Sequence, residues 1–225
     1  YTTSISALVI AVCSPILGAI ADAGGPRKPW LFGFTAICVV GSWMLWYAYP
    51  TVDSIFWVMF WVILANIGFE LGIVFNNAML PDLVVSGRLG RWSGWSWGLG
   101  YIGGLAALLV TLLFFVQAEN PLFDLSKERE DLEHIRIVGP FVAIWFLVFV
   151  WPLFAFTRDR SRVMTGFNRQ VSQGLCTRWA TVKKTRECGN ILRFLIARMI
   201  YADGLTTIFV FGGIYAAGTF GMELD

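Results

Sequence analysis

Long apolar runs are the feature that most limits what this chain can fold into. Six runs of about twenty mainly apolar residues occupy most of its 225 residues. As a helix, such a run matches the roughly 30 Å hydrocarbon layer of a bilayer. Backbone amides in lipid must hydrogen-bond within their own segment, so we predict six transmembrane helices and an all-α integral membrane fold. The predicted spans are 5–23, 30–49, 55–79, 93–116, 138–156 and 194–217.

The composition supports a membrane protein and argues against an enzyme. The chain is 57% hydrophobic and only 14% charged, whereas a soluble domain carries about 25% charged residues. No nucleophile–base pair, phosphate-binding loop or metal-ligand spacing occurs, so we predict no catalytic residue, no metal and no cofactor. The most basic stretch of the chain, residues 157–193, lies between two spans, which argues against a nucleic-acid partner. The four cysteines are expected to be free thiols: Cys13, Cys38, Cys176 and Cys188.

The basic residues alternate between the connections and predict an orientation. Connections 24–29, 50–54, 80–92, 117–137 and 157–193 carry 2, 0, 2, 3 and 9 Lys and Arg residues. Base-rich loops stay in the cytoplasm, so we expect the first, third and fifth connections there. Both ends of the given sequence would then lie outside. An N-terminus that is not translocated stays in the cytoplasm, so we expect one further helix before the first span.

The first connection contains a pattern of glycines and charges that follows an apolar run. The pattern consists of Gly18, Asp22, Gly25, Arg27 and Lys28. It resembles the cytoplasmic signature of the major facilitator superfamily, found between the second and third of twelve helices. The resemblance implies that the six spans are helices two to seven of a partial bundle of that type. It also implies that these residues latch the two halves of the transporter in one state, and that a change in the latch alters which side is open.

A second stretch narrows the resemblance. The pieces "NAMLPDL" (77–83), "GR" (87–88), "SGWSW" (93–97) and "GYIGG" (100–104) occur in order. They resemble the vacuole-effluxer branch of the superfamily, which is autophagy-related and amino-acid exporter-like. The resemblance implies that residues 1–157 form most of the first six-helix half and residues 194–225 begin the second. Between them, 158–193 is expected to be an amphipathic helix on the cytoplasmic membrane surface.

Four polar residues within the spans are candidates for binding a substrate or a proton. Asn66, Glu70 and Asn77 fall on one face of the third span at 100° per residue. An ionisable group at that depth is costly and usually faces a cavity. The alternative is that the three side chains form interhelical hydrogen bonds. Asp203 in the last span either faces the cavity or pairs with Arg198.

The function expected from these features is secondary active transport of a small polar solute by alternating access, with an amino acid favoured and a proton or sodium ion as coupling ion. The alternatives are a cation-coupled sugar symporter, which the "RKPW" at 27–30 also resembles, and a receptor or scaffold without transport. The membrane is either a bacterial inner membrane or a eukaryotic vacuolar or plasma membrane. Five glycines of the fourth span are expected to mediate close helix packing: Gly94, Gly98, Gly100, Gly103 and Gly104.

Overall fold

The six predicted spans all fall on helices in the computed structural model, which describes residues 2–22, 25–85, 87–117, 132–159 and 189–220. A 3₁₀ turn (Leu45–Tyr47) follows the second helix, and a π-helical turn (Leu112–Val116) follows the fourth. No strand occurs in these ranges, which confirms the all-α prediction. The helices are α1 (Thr2–Asp22), α2 (Lys28–Met44), α3 (Ser54–Leu83), α4 (Leu89–Thr111), α5 (Glu133–Arg136), α6 (Val138–Phe156) and α7 (Gly189–Phe220).

Within the described ranges, five helical segments are long and apolar enough to cross a membrane: Thr2–Asp22, Lys28–Tyr47, Ser54–Leu83, Leu89–Val116 and Glu133–Phe156. The sixth predicted span lies within α7, which is not among these five, so its membrane crossing stays a prediction. The chain divides into two compact units, Tyr1–Gly174 and Leu175–Asp225. The division falls within the predicted linker, most of which, including its predicted amphipathic helix, lies outside the described residues.

The connection between the third and fourth spans is shorter than predicted. Helix α3 continues four residues past the predicted end at 79, through Pro81, and α4 begins four residues before the predicted start at 93. Proline in the last turn removes a single backbone hydrogen bond and leaves the rest of the helix intact. The Val84 amide then closes this end on the Leu80 carbonyl, at 3.2 Å. A tight turn follows, where Gly87 adopts a φ of +92° that favours glycine.

Helices α2 and α3 form the centre of the first unit, because they pack along each other while α6 packs along α2 and α1 packs along α3. The contacts at its two ends show that α2 runs antiparallel to α3 and α6. The buried core lies where α2 begins. There the Phe75 ring, fully buried, stacks on Trp30 at a centroid distance of 5.6 Å and on Phe34 at 5.8 Å. The other fully packed members of this core are Ala21, Leu31 and Met79.

Three glycines allow α2 to approach its neighbours at backbone distance. A Cβ atom on Gly41 of α2 itself would lie 2.9 Å from the Ala65 Cβ and 3.1 Å from the Trp61 carbonyl oxygen on α3. A Cβ atom on Gly68 of α3 would lie 2.8 Å from the Phe34 carbonyl oxygen and 2.9 Å from the Cys38 nitrogen. A Cβ atom on Gly139 of α6 would lie 2.6 Å from the Ser42 carbonyl oxygen. Small residues at such crossings allow close van der Waals packing, which drives helix association in lipid.

A buried arginine holds α6 to the far end of α2. Arg136 was counted among the bases of a connecting loop, but it lies in α5 and is only 7% exposed. Its Nε donates to the Trp46 carbonyl at 2.6 Å, and its guanidinium lies 3.9 Å from the centroid of the Tyr49 ring. The aromatic face and the carbonyl compensate the buried charge.

The close approach at Gly68 leads to a prediction about the stability of the protein. We expect Gly68→Ala to destabilise the full-length protein by about 1–3 kcal/mol, because the added methyl group meets backbone atoms that cannot rotate away. Thermal unfolding in detergent measures this effect. The matched control is Gly33→Ala on α2, where no atom lies within 4 Å of the new Cβ. Equal melting temperatures for the two variants would contradict this packing.

Candidate functional site

The polar stripe predicted on the third span lies on α3, on the side away from α2. Asn66, Glu70 and Asn77 fall within about 40° of one another around the helix. Phe75, at the centre of the core, is five residues from Glu70 and therefore about 140° away around α3. The stripe thus faces away from α2, and each of its three members has different surroundings.

Glu70 is the carboxylate of the stripe and lies deep in the helix. It is 16 residues after Ser54 and 13 before Leu83, or about 24 Å and 20 Å from the two ends at 1.5 Å per residue. The side chain is half-buried. It makes no hydrogen bond or ion pair with any residue that the structure describes. An ionisable group at this depth in a membrane helix is costly and usually faces the bundle interior or a cavity.

Asn66, one turn earlier, makes an interhelical hydrogen bond. Its Nδ2 donates to Ser6 Oγ on α1 at 2.8 Å. Ser6 is 1% exposed and donates its own proton to the Thr3 carbonyl at 3.0 Å. Asn66 therefore joins α1 to α3, as in the structural alternative for the stripe. Such a bond contributes about 0.6 kcal/mol in a membrane protein.

The other two predicted binding residues are exposed. Asn77 lies two turns past Glu70, on the same face of α3 and accessible. Asp203 lies within α7 of the second unit; its side chain is exposed, as are those of Thr206 and Thr207. Asp203 does not form the predicted alternative ion pair with Arg198.

A cavity of about 290 Å³ lies between α2, α3 and α6. Its wall is mainly apolar, and the polar side chains that reach it are Thr35 and Asn76. Asn76 is about 120° from Glu70 around α3. None of the four predicted binding residues lines this cavity, which accommodates apolar groups in preference to a charged solute.

Arg27, in the turn between α1 and α2, joins two helix ends. Its Nε donates to the Ala21 carbonyl in the last turn of α1 at 2.9 Å. Its Nη1 forms an ion pair with Asp82 Oδ2 in the last turn of α3. The last carbonyls of a helix have no intrahelical donor, so the guanidinium supplies one to α1 while it neutralises the carboxylate on α3.

Lys28 joins the start of α2 to the end of α6. Its Nζ donates to the Phe154 carbonyl at 2.8 Å and also to the Thr157 carbonyl. Its backbone amide donates to Asp159 Oδ2 at 2.9 Å. The first amide of α2 is thereby capped by a carboxylate, which the positive end of the helix dipole favours. We call Arg27 and Lys28, with these four helix ends, the helix-end clamp.

The predicted latch residues therefore fall into two groups. Arg27 and Lys28 make their hydrogen bonds inside the first unit. Gly18 is buried in the packed face of α1, and Gly25 lies in the turn. Asp22 is exposed at the last position of α1, so it is the acidic group of the pattern that a second half could reach.

The five glycines of α4 lack close neighbours in the described part of the first unit. No atom there lies within 4 Å of the Cβ position on Gly94, Gly98 or Gly100. The same holds for Gly103 and Gly104. Their role in helix packing stays a prediction. The sequence did not single out the glycines that do pack closely, which are Gly41, Gly68 and Gly139.

The sequence reasoning also missed Ser6, Asp82 and Asp159. Ser6 is a polar residue in an apolar run, and that signal was available. Asp82 and Asp159 each lie just beyond a predicted helix end, where acids are common. Only the three-dimensional structure shows that both contact the turn between α1 and α2. Among the described residues, no three His, Cys, Asp or Glu side chains form a group that could hold a metal ion.

Comparison with known proteins gives two matches that agree. The sequence model of the family described as vacuole effluxer Atg22-like matches residues 1–89 and 88–224. The chain is 26% identical over 223 residues to an uncharacterized MFS-type transporter, YxiO, of Bacillus subtilis (strain 168). That alignment covers 96% of this chain and 49% of the relative, so the chain spans about half the length of the relative. No solved structure matches.

The family match covers nearly the whole chain and agrees with the helical, multi-pass architecture described above. The family and the relative are transporters and not enzymes. The chain is therefore a multi-pass integral membrane protein that belongs to the vacuole effluxer Atg22-like family, of the MFS type.

Proposed function

We propose that the full-length protein is a secondary active transporter that moves a small polar solute by alternating access, with an amino acid as the favoured cargo. The observation that carries this proposal is Glu70, a half-buried carboxylate midway along a membrane helix with no partner in the described residues. A group of this kind binds either a coupling proton or the α-ammonium group of an amino acid. Asn77 on the same face is the proposed hydrogen-bonding neighbour, and Asp203 a further contact from the other half.

The proposed mechanism requires the first half to move as one body. The helix-end clamp supports this requirement, because it ties α1 to α3 and α2 to α6 at one end. Arg136 ties α2 to α6 at the other end. Asp22 is the proposed latch between the halves, since its carboxylate is exposed and the two neighbouring bases are already bound within the first unit.

The most direct test of the proposed transport role removes the charge of Glu70. In proteoliposomes with the full-length protein, we expect Glu70→Gln to reduce gradient-driven amino-acid accumulation by about tenfold or more, because the amide neither carries a proton nor pairs with an ammonium group. Uptake of labelled amino acids and sugars is measured under a proton gradient, a sodium gradient and no gradient. Asp53→Asn is the control, since it removes an exposed carboxylate just before the same helix.

Unchanged accumulation in Glu70→Gln would contradict the role of this residue. Sugar flux without amino-acid flux would replace the proposed cargo and favour the sugar-symport alternative. No flux of any solute in either gradient would contradict transport as the function.

A second set of variants distinguishes the structural role of the helix-end clamp from the proposed role of the latch. We expect Arg27→Gln to lower the free energy of unfolding by about 1–3 kcal/mol, because it leaves the Ala21 carbonyl and the Asp82 carboxylate without their donor. Asp82→Asn should have a smaller effect, and the double variant should lose less than the sum of the two. Chemical or thermal unfolding of the full-length protein measures all three. Additive losses would show that the pair is not coupled.

For the latch, we expect Asp22→Asn to alter transport, because loss of the exposed carboxylate would change the balance between the two open states. Reagent accessibility of a single cysteine on each side of the membrane reports that balance. Identical accessibility and flux in Asp22→Asn and the wild type would rule out a latch at this residue.

A further inference from the structure

We infer that the start of α4 carries a binding site for the headgroup of an anionic phospholipid. The site consists of Arg88, Arg91, Trp92 and Trp95, which we call the Arg–Trp surface. These four residues line an open recess of about 430 Å³. The inference concerns lipid recognition and stands independently of the transport proposal.

The charge of the surface is not compensated within the described chain. The guanidinium groups of Arg88 and Arg91 make no hydrogen bond or ion pair with a residue that the structure describes. The sequence from 83 to 117 contains these two bases and no acidic residue, so α4 offers no carboxylate at helical spacing. Two guanidinium groups on one helix face, three residues apart, are well suited to bind the oxygens of a phosphate.

The two indole rings lie on the same face as the arginines. Positions 88, 91, 92 and 95 are spaced as neighbours on one side of a helix. Trp92 is 55% exposed and Trp95 is 60% exposed. Tryptophan favours the membrane–water interface, where its ring contacts acyl chains and its N–H faces the headgroups. A free soluble anion would need the arginines alone, whereas a lipid uses both parts of the surface.

The length of the helix places the surface at headgroup depth. The apolar segment Leu89–Val116 has 28 residues and is therefore about 42 Å long at 1.5 Å per residue. The hydrocarbon layer is about 30 Å thick, and the headgroup regions extend the bilayer to about 40–45 Å. The first turns of α4 therefore lie among the headgroups. Clusters of bases at that level attract anionic lipids.

The test titrates purified full-length protein with phosphatidylglycerol, phosphatidylcholine and inorganic phosphate, and counts bound lipid by native mass spectrometry. We expect phosphatidylglycerol to bind on the order of twentyfold more weakly to Arg88→Gln/Arg91→Gln than to the wild type, since each base contributes a factor of about five. Phosphatidylcholine binding should change much less. Trp92→Leu/Trp95→Leu should also weaken phosphatidylglycerol binding.

Two matched variants serve as controls for the binding test. Arg158→Gln/Arg193→Gln removes two exposed bases elsewhere and should retain phosphatidylglycerol binding. Arg88→Lys/Arg91→Lys keeps both charges, so it should bind the lipid within about threefold of the wild type even if the neutral variant fails to fold.

Equal loss in the Arg158/Arg193 variant would indicate a general charge effect and overturn the site. Competition by inorganic phosphate as effective as that by lipid would identify a free-anion site and also overturn the inference.

Discussion

The helix-end clamp is the interaction on which the first unit depends. Membrane helices leave their last carbonyls and first amides without intrahelical partners, and four such ends meet at the turn between α1 and α2. Two consecutive bases tie these ends together. Arg27 donates to a carbonyl at the end of α1 and pairs with the Asp82 carboxylate on α3. Lys28 donates to carbonyls at the end of α6, and its own amide is capped by Asp159. The apolar core around Phe75 lies directly beneath. The same two residues thus fix the helix ends and close the core.

The polar stripe of α3 contains one residue that bonds to a neighbouring helix and one that makes no such bond. Asn66 bonds to Ser6 and holds α1 in register with α3, whereas Glu70, one turn along, has no partner in the described chain. The tight bond next to the unpaired carboxylate fixes the rotation of α3 about its axis. The binding role proposed for Glu70 relies on such positioning, because its own side chain makes no bond within the described chain.

The architecture was largely predictable from the sequence because it follows from segment length and lipid chemistry. The helix positions agree with the apolar runs to within a few residues, and the family resemblance is confirmed. What the sequence could not reveal were contacts between residues distant in the chain, such as Arg27 with Asp82 or Lys28 with Asp159. Arg136 was missed for a different reason: in a loop count it is one base among several, and only its aromatic neighbours explain its burial. Helical periodicity placed Asn66 and Glu70 on one face, but it could not show that Ser6 lies opposite only one of them.

Pro81, in the last turn of α3, bears on where this helix ends in the membrane. Proline has no N–H, so the carbonyl oxygen of Asn77 loses the donor that a regular helix would supply. That oxygen lies about 9 Å before the end of α3 at Leu83, on the face that carries Glu70. An unsatisfied carbonyl is costly in hydrocarbon. The available donor is water among the headgroups, so Pro81 favours a position of this end of α3 at the membrane surface, outside the hydrocarbon layer.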